Sequence, residues 1–264
     1  MFFKTTNISS WGIITPLSMP RVFCYLAWLE IKNQYRRTIL GPFWILGTLI
    51  IFSAAMAYVY SSLFDLEFNK YVTYVSTGMI GWNWGSAILT TSCTVYITNS
   101  NLITEYPTDK SYLLWTHVIV QLLVFLHQLP LVCLFYLSGM LSFNYNILFI
   151  IPSIFIIIAI NIGVASILSV VVVRFRDIER ILTSLTVIIM VTTPIFWMPS
   201  MVGKRALIYK LNPFHYIVEL IRDPLMGNTF KPENYIIGSL LAITALIVGG
   251  IFHKKYSQYI VFRL

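Results

Sequence analysis

Five stretches of 20 or more residues carry no Asp, Glu, Lys or Arg: residues 38–64, 71–104, 111–173, 181–203 and 234–253. A bilayer core about 30 Å thick needs roughly 20 apolar residues of helix to cross it. Thr38 to Phe64 has 27 such residues, Tyr71 to Thr104 has 34, Ile181 to Gly203 has 23 and Asn234 to His253 has 20, one span each. Ser111 to Val173, at 63 residues, is too long for one span and fits two, broken where Ser142, Asn144 and Asn146 interrupt the apolar run at 139–146. Lipid offers no partner to an open sheet edge, and the alternation of a membrane barrel is absent, so the spans are expected to be helices.

Composition agrees. Hydrophobic residues make up 58% of the 264 and charged residues 11%, with a mean hydropathy of +0.78. These values exclude a soluble enzyme, a disulfide scaffold and a disordered chain. The formal charge of +8 forms no nucleic-acid patch with a readable motif, so no nucleic-acid partner is expected. Six spans put both termini on one side. Counting basic residues with that side in the cytosol gives 12 inside and 6 outside, which favours cytosolic termini. Cys24, Cys93 and Cys133 lack pair-like or metal-like spacing and read as small buried hydrophobes.

Before the first span, Met1 to Ser10 lacks the pattern of a signal peptide. Pro20 to Asn33 is too short to span. Val22, Tyr25, Leu26 and Leu29 recur at helical spacing, predicting either an amphipathic helix in the cytosolic interface or one packed on the bundle end. The 199–233 loop is too apolar to be free and too charged to span. It reads as one or two amphipathic helices dipping into the outer interface, with Asn212-Pro213 as a helix start. The fold class expected is therefore all-α integral membrane. It comprises a cytosolic amphipathic segment (1–37), a six-helix bundle (38–253) with short amphipathic helices in the last outer loop, and a cytosolic tail (254–264), as one transmembrane domain.

No catalytic constellation is present. There is no P-loop, so the chain has no means of its own to cradle ATP. The four histidines are scattered; His117 and His127, ten residues apart, fall about 280° apart around a helix. No metal site, cofactor or enzymatic activity is expected. No acid or base lies in the middle of any span, which argues against an ion-coupled carrier. In the second span Tyr71, Tyr74, Trp82 and Tyr96 fall on one stripe with Gly78 and Gly85. Aromatic faces are platforms for sugar rings, so this stripe is a candidate glycan path; simple helix packing is the alternative. Arg36 and Arg37 at the cytosolic edge suit phosphate oxygens, or serve as plain positive-inside anchors.

Tyr35 to Trp44 (YRRTILGPFW) resembles an element of the membrane subunits of type-2 ABC exporters for bacterial surface polysaccharides. Asn101 to Pro107 looks like the cytosolic loop after their second span, and Arg174-Phe175-Arg176-Asp177-Ile178 resembles the element before their fifth. Asn212-Pro213-Phe214-His215-Tyr216 followed by Arg222-Asp223-Pro224-Leu225-Met226-Gly227 is similar to their outer loop. The O-antigen branch is nearest, with capsule and teichoic-acid exporters as relatives. The resemblance implies a half-transporter in the bacterial inner membrane: a homodimer with two ATPase subunits that bring ATP and Mg, moving polysaccharide on polyprenyl pyrophosphate. On this expectation Arg36, Arg37, Tyr71, Tyr74, Trp82 and Tyr96 meet the substrate. Glu105, Pro107 and Asp109 couple to the ATPase, and Asn212, Pro213 and Arg222 gate the outer exit. A non-transport scaffold and a membrane-embedded glycosyl-transfer enzyme are the competing classes. For the second, Asp177 and Glu179 are the cytosolic carboxylate pair, and ion pairing with the flanking arginines is the simpler account.

Overall fold

A computed structural model describes residues 12–13, 15–105, 109–201 and 207–263. It is helical throughout, with no strand among the described residues. Nine helices matter here: α1 (Pro20–Gln34), α2 (Phe43–Leu63), α3 (Phe68–Thr90), α4 (Ser111–Leu126), α5 (Leu129–Leu137), α6 (Ile150–Arg174), α7 (Asp177–Thr192), α8 (Pro213–Leu225) and α9 (Pro232–Tyr256). Among the described residues four helical segments are long and apolar enough to cross a membrane: Phe43–Leu63, Ser111–Leu137, Tyr145–Arg174 and Pro232–Tyr259.

The other two segments expected to span are too short or too polar to count among these four. α3 has 23 residues, but Thr73, Ser76, Thr77, Asn83 and Ser86 dilute its apolar character. It also ends at Thr90 in a tight turn (Thr91–Thr94), followed by the short helices Val95–Thr98 and Ser100–Glu105. Tyr96 therefore lies beyond a break, and the stripe computed for one continuous helix ends at Trp82. α7 has only 16 residues, about 24 Å of helix. It stops because Pro194 drives Thr193 into extended backbone (φ −86°, ψ 134°).

The break expected at 139–146 is present, with Gly139 at φ +75° turning the chain between α5 and α6. Within the preceding span, Pro130 sits in the first turn of α5 and separates it from α4 at His127–Gln128. α6 and α9 cross at small residues: a Cβ added at Gly163 would sit 2.4 Å from the Ala245 carbonyl carbon, and one at Gly249 would sit 2.4 Å from the Gly163 oxygen. With no hydrophobic force between helices in lipid, such close backbone approach supplies the dispersion contact that holds the pair.

α1 is the expected amphipathic helix, with a different face turned inward. Phe23, Ala27 and Ile31 are buried against α4, with Phe23 5.6 Å from the Trp115 ring, while Val22, Tyr25 and Trp28 are exposed. Ala27 lets the backbones approach, and the larger side chains are left to face outward. Cys93 is buried as expected, but Cys24 and Cys133 are exposed on open helix faces.

Candidate functional site

The segment after α7 folds back into the molecule. Asn212 opens α8 by accepting the Phe214 N–H at 2.9 Å, with Pro213 in the first turn, as its sequence predicts. The loop helix does not lie at the interface, however: every residue from Phe214 to Leu225 is buried. It packs along α3, with Phe214 and Ile217 against Gly85, Val218 against Gly81 and Arg222 against Gly78. These glycines form the seat. A Cβ at Gly78 would lie 2.2 Å from Arg222 Nη2, and one at Gly81 would lie 3.0 Å from the Val218 Cα. Phe214 thus reaches a point well along α3, about 25 Å of helix from its start.

The charges of α8 are buried with it and paired, with Arg222 Nε left without a partner among the described residues. Arg222, 1% exposed, donates from Nη1 to Glu219 Oε1 (2.7 Å) and to the Tyr74 hydroxyl (2.9 Å), and from Nη2 to the Pro194 carbonyl (2.7 Å). Its guanidinium also lies over the Tyr74 ring, 4.0 Å from the centroid. Asp223 accepts from Asn228 (3.0 Å), Lys231 (3.1 Å) and Asn234 (3.1 Å), and Lys231 stands 3.8 Å from Glu219. Two cations thus face two anions: Glu219, Arg222 and Asp223 are buried, and the half-exposed Lys231 reaches in from the surface to balance them. Beside them, Tyr136 donates to the Leu225 carbonyl, and Asn144 and Asn146 to that of Gly227.

The aromatic stripe is committed to this docking. Tyr71 donates to the Phe196 carbonyl, and Tyr74 to those of Pro194 and Trp197. Trp82 packs on Phe214 at 5.9 Å. Tyr96 sits apart, its hydroxyl 3.3 Å from His253 Nδ1. Tyr71 and Tyr96 have no exposed surface and Trp82 only 5%, so no open path runs over them in this arrangement. Asn83 donates to Gln128 at 2.7 Å in the core.

At the other end of the bundle, Arg36 and Arg37 lie exposed in the turn between α1 and α2, where Arg37 takes φ +70° and Gly41 φ +55°. Neither arginine has an ion-pair partner among the described residues. Glu105 is exposed at the end of its short helix, and Asp109, two residues before α4, accepts from Ser111 N (3.0 Å) and Oγ (2.6 Å). Pro107 lies outside the described residues. Burial lowers the Lys110 pKa, opposed by Asp109, and raises that of Glu30 on α1. The ion pairs expected for Asp177 and Glu179 are not formed among the described residues; the Arg174–Arg180 cluster stands open. The sequence reading missed Glu219, Asp223, Lys231 and Asn234. The signal that could have found Glu219 was its spacing from Arg222, one turn along the same helix.

A helical chain with four segments long and apolar enough to cross a membrane, and a further helix folded back among them, is by class a multi-pass membrane protein. The chain belongs to the ABC-2 type transporter family, whose profile matches residues 21–226. Two O-antigen export system permease proteins (RfbA) of Klebsiella pneumoniae are similar to it. One is 26% identical over 235 residues, covering 86% of this chain and 89% of the relative. The other is 23% identical over 235 residues, covering 87% and 91%.

Proposed function

We propose that this chain is the membrane half of an ATP-driven O-antigen exporter, working as a homodimer with two copies of a separate ATPase in the bacterial inner membrane, both termini in the cytosol. The observation that carries the reading is the re-entrant α8. Exposed Leu207, Ile208, Lys210 and Leu211 precede it in a short helix and a turn, leading to Phe214, which packs against Gly85 well along α3. Irregular backbone at membrane depth is tolerated only where protein buries it or water fills the space beside it. A second copy and the aqueous path between the two copies meet that requirement. The permeases named above supply the cargo class, and the basic-residue count supports the orientation.

In this reading α2, α3, α4–α5, α6, α7 and α9 are the six spans. Arg36 and Arg37, exposed and unpaired, receive the pyrophosphate of a lipid-linked polymer on the cytosolic side. Glu105, Pro107 and Asp109 face the ATPase. Asn212, Pro213 and Arg222 hold α8 as the outer gate in its closed position, so Tyr71, Tyr74 and Trp82 meet the polymer only when α8 is displaced. The test is affinity purification of the tagged chain from its own cells, combined with deletion of its gene. Recovery of an ATP-binding-cassette ATPase and loss of surface O-antigen are expected. Intact O-antigen in the deletion strain would refute the reading.

A further inference from the structure

The segment that joins α3 to the short helix Ser100–Glu105 is held by three hydrogen-bonded side-chain pairs among the described residues. Gln121 donates from Nε2 to the Thr91 hydroxyl at 3.1 Å. That hydroxyl donates in turn to the Ala87 carbonyl, in the last turn of α3, at 2.7 Å. Ser92 Oγ and His117 Nε2 stand 3.3 Å apart, and so do the Tyr96 hydroxyl and His253 Nδ1. His117 and Gln121 lie one turn apart on one face of α4, and His253 is in the last turn of α9. The His253 ring is packed in turn against Gly12, where a Cβ would sit 3.5 Å from Cδ2. Ser92, Cys93, Val95 and Tyr96 are buried, and Asn99 closes the segment by donating to the Val95 carbonyl at 2.8 Å.

Polar side chains in membrane spans commonly join one helix to another. These three pairs differ in where they land, on residues 91–96, where the helix is broken. Ile103 is buried in one cluster with Leu113, Leu114 and Ile260, which fixes the depth of the Ser100–Glu105 helix. Apolar burial has no preferred direction. Hydrogen bonds do, so the pairs set the angle at which this helix leaves α3. We infer that His117, Gln121 and His253 are positioning residues, which hold the 91–96 segment and thereby determine where Glu105 is presented. That Glu105 meets an ATPase rests on the exporter reading; the bonds that orient its helix do not.

The test has two arms. The first measures a spin-label distance on the full chain in phospholipid nanodiscs, with native cysteines replaced and labelled chain diluted into unlabelled chain. The labels are Asn69→Cys on α3 and Leu102→Cys, exposed positions on either side of the segment. Leu102 lies six residues beyond Tyr96, about 9 Å of helix, so a swing of about 20° moves it about 3 Å. The distribution should be narrow in the unmodified background and shift or broaden by about that amount in Gln121→Leu and His253→Leu. His253→Asn, whose amide can accept from the Tyr96 hydroxyl, should restore it. Gln128→Leu, which breaks the bond to Asn83 away from this segment, should leave it unmoved. A distribution unchanged in both Gln121→Leu and His253→Leu would overturn the inference, as would an equal change in Gln128→Leu. The second arm is in cells. His253→Leu should still co-purify with the ATPase but show severalfold less surface O-antigen, and His253→Asn should recover it. Should His253→Leu fail to fold, Tyr96→Phe, which removes only the hydroxyl, decides both arms. Normal export by these variants would overturn the inference. Intact O-antigen in the deletion strain would instead refute the exporter reading, with the first arm unaffected.

Discussion

Arg222 and Arg36 show how the same residue type serves opposite ends of one molecule. Arg222 is buried under three hydrogen bonds and an aromatic face, and the absence of a side chain at Gly78 makes room for it. A Gly78→Ala methyl would meet the guanidinium at 2.2 Å, and the guanidinium is tied by its bonds. Overpacking of this kind costs about 1–3 kcal/mol. Gly78→Ala should therefore lower the thermal unfolding midpoint in detergent, whereas Gly47→Ala, with nothing within 4 Å, should not. Arg36 and Arg37 are exposed, so their value lies in what they bind. Anchoring needs only charge, while a pyrophosphate uses the planar fork. Arg36→Lys is expected to reduce export with membrane level unchanged. Losing one charge-assisted bond of about 1.5–3 kcal/mol means roughly ten- to a hundredfold in apparent affinity. Normal export by both Arg36→Lys and Arg37→Lys would identify them as anchors.

At the scale of elements, α8 depends on its cap and its seat. Asn212→Ala removes the acceptor for Phe214 N–H and the donor to Thr193. A lost N-cap costs about 1 kcal/mol, so a measurable drop in the unfolding midpoint is expected, with Asn212→Asp recovering the cap but not the donation to Thr193. The start of α8 was legible in Asn212-Pro213, because capping is local chemistry. Its burial was not, because the charges of Glu219, Arg222 and Asp223 argue for a surface until Lys231 and the turn at Pro194 are brought to them. α1 shows the same limit more mildly. Its helical spacing was readable, but both of its sides carry apolar residues, and only the Trp115 ring and the space allowed by Ala27 select Phe23, Ala27 and Ile31 as the inner face. The aromatic stripe was correctly grouped as far as Trp82. It was read as a surface because sequence does not show that Gly78, Gly81 and Gly85 are occupied by another helix. The early stop of α7 was not read, because the uncharged run continues to Gly203 while Pro194 ends the helix at Thr192.

For the whole molecule, orientation is the first quantity to measure. Twelve basic residues against six predict that a reporter fused after Arg263 reads cytosolic and one inserted at Leu207 reads periplasmic. A periplasmic reading at the C-terminal end would overturn the six-span arrangement. A chain without a P-loop is expected to show no ATP turnover after purification, and turnover should appear only when its ATPase is added. The charges on α8 add a constraint on what could displace it in the gating role proposed for it. An elementary charge moved across the membrane potential exchanges about 2.3 kcal/mol per 100 mV. α8 itself carries Glu219, Arg222 and Asp223, one net negative charge, which Lys231 at the start of α9 balances only while α8 stays docked. Displacement of this helix away from Lys231 should then depend on the membrane potential, and Glu219→Gln, which leaves Arg222 balanced against Asp223, should remove that dependence.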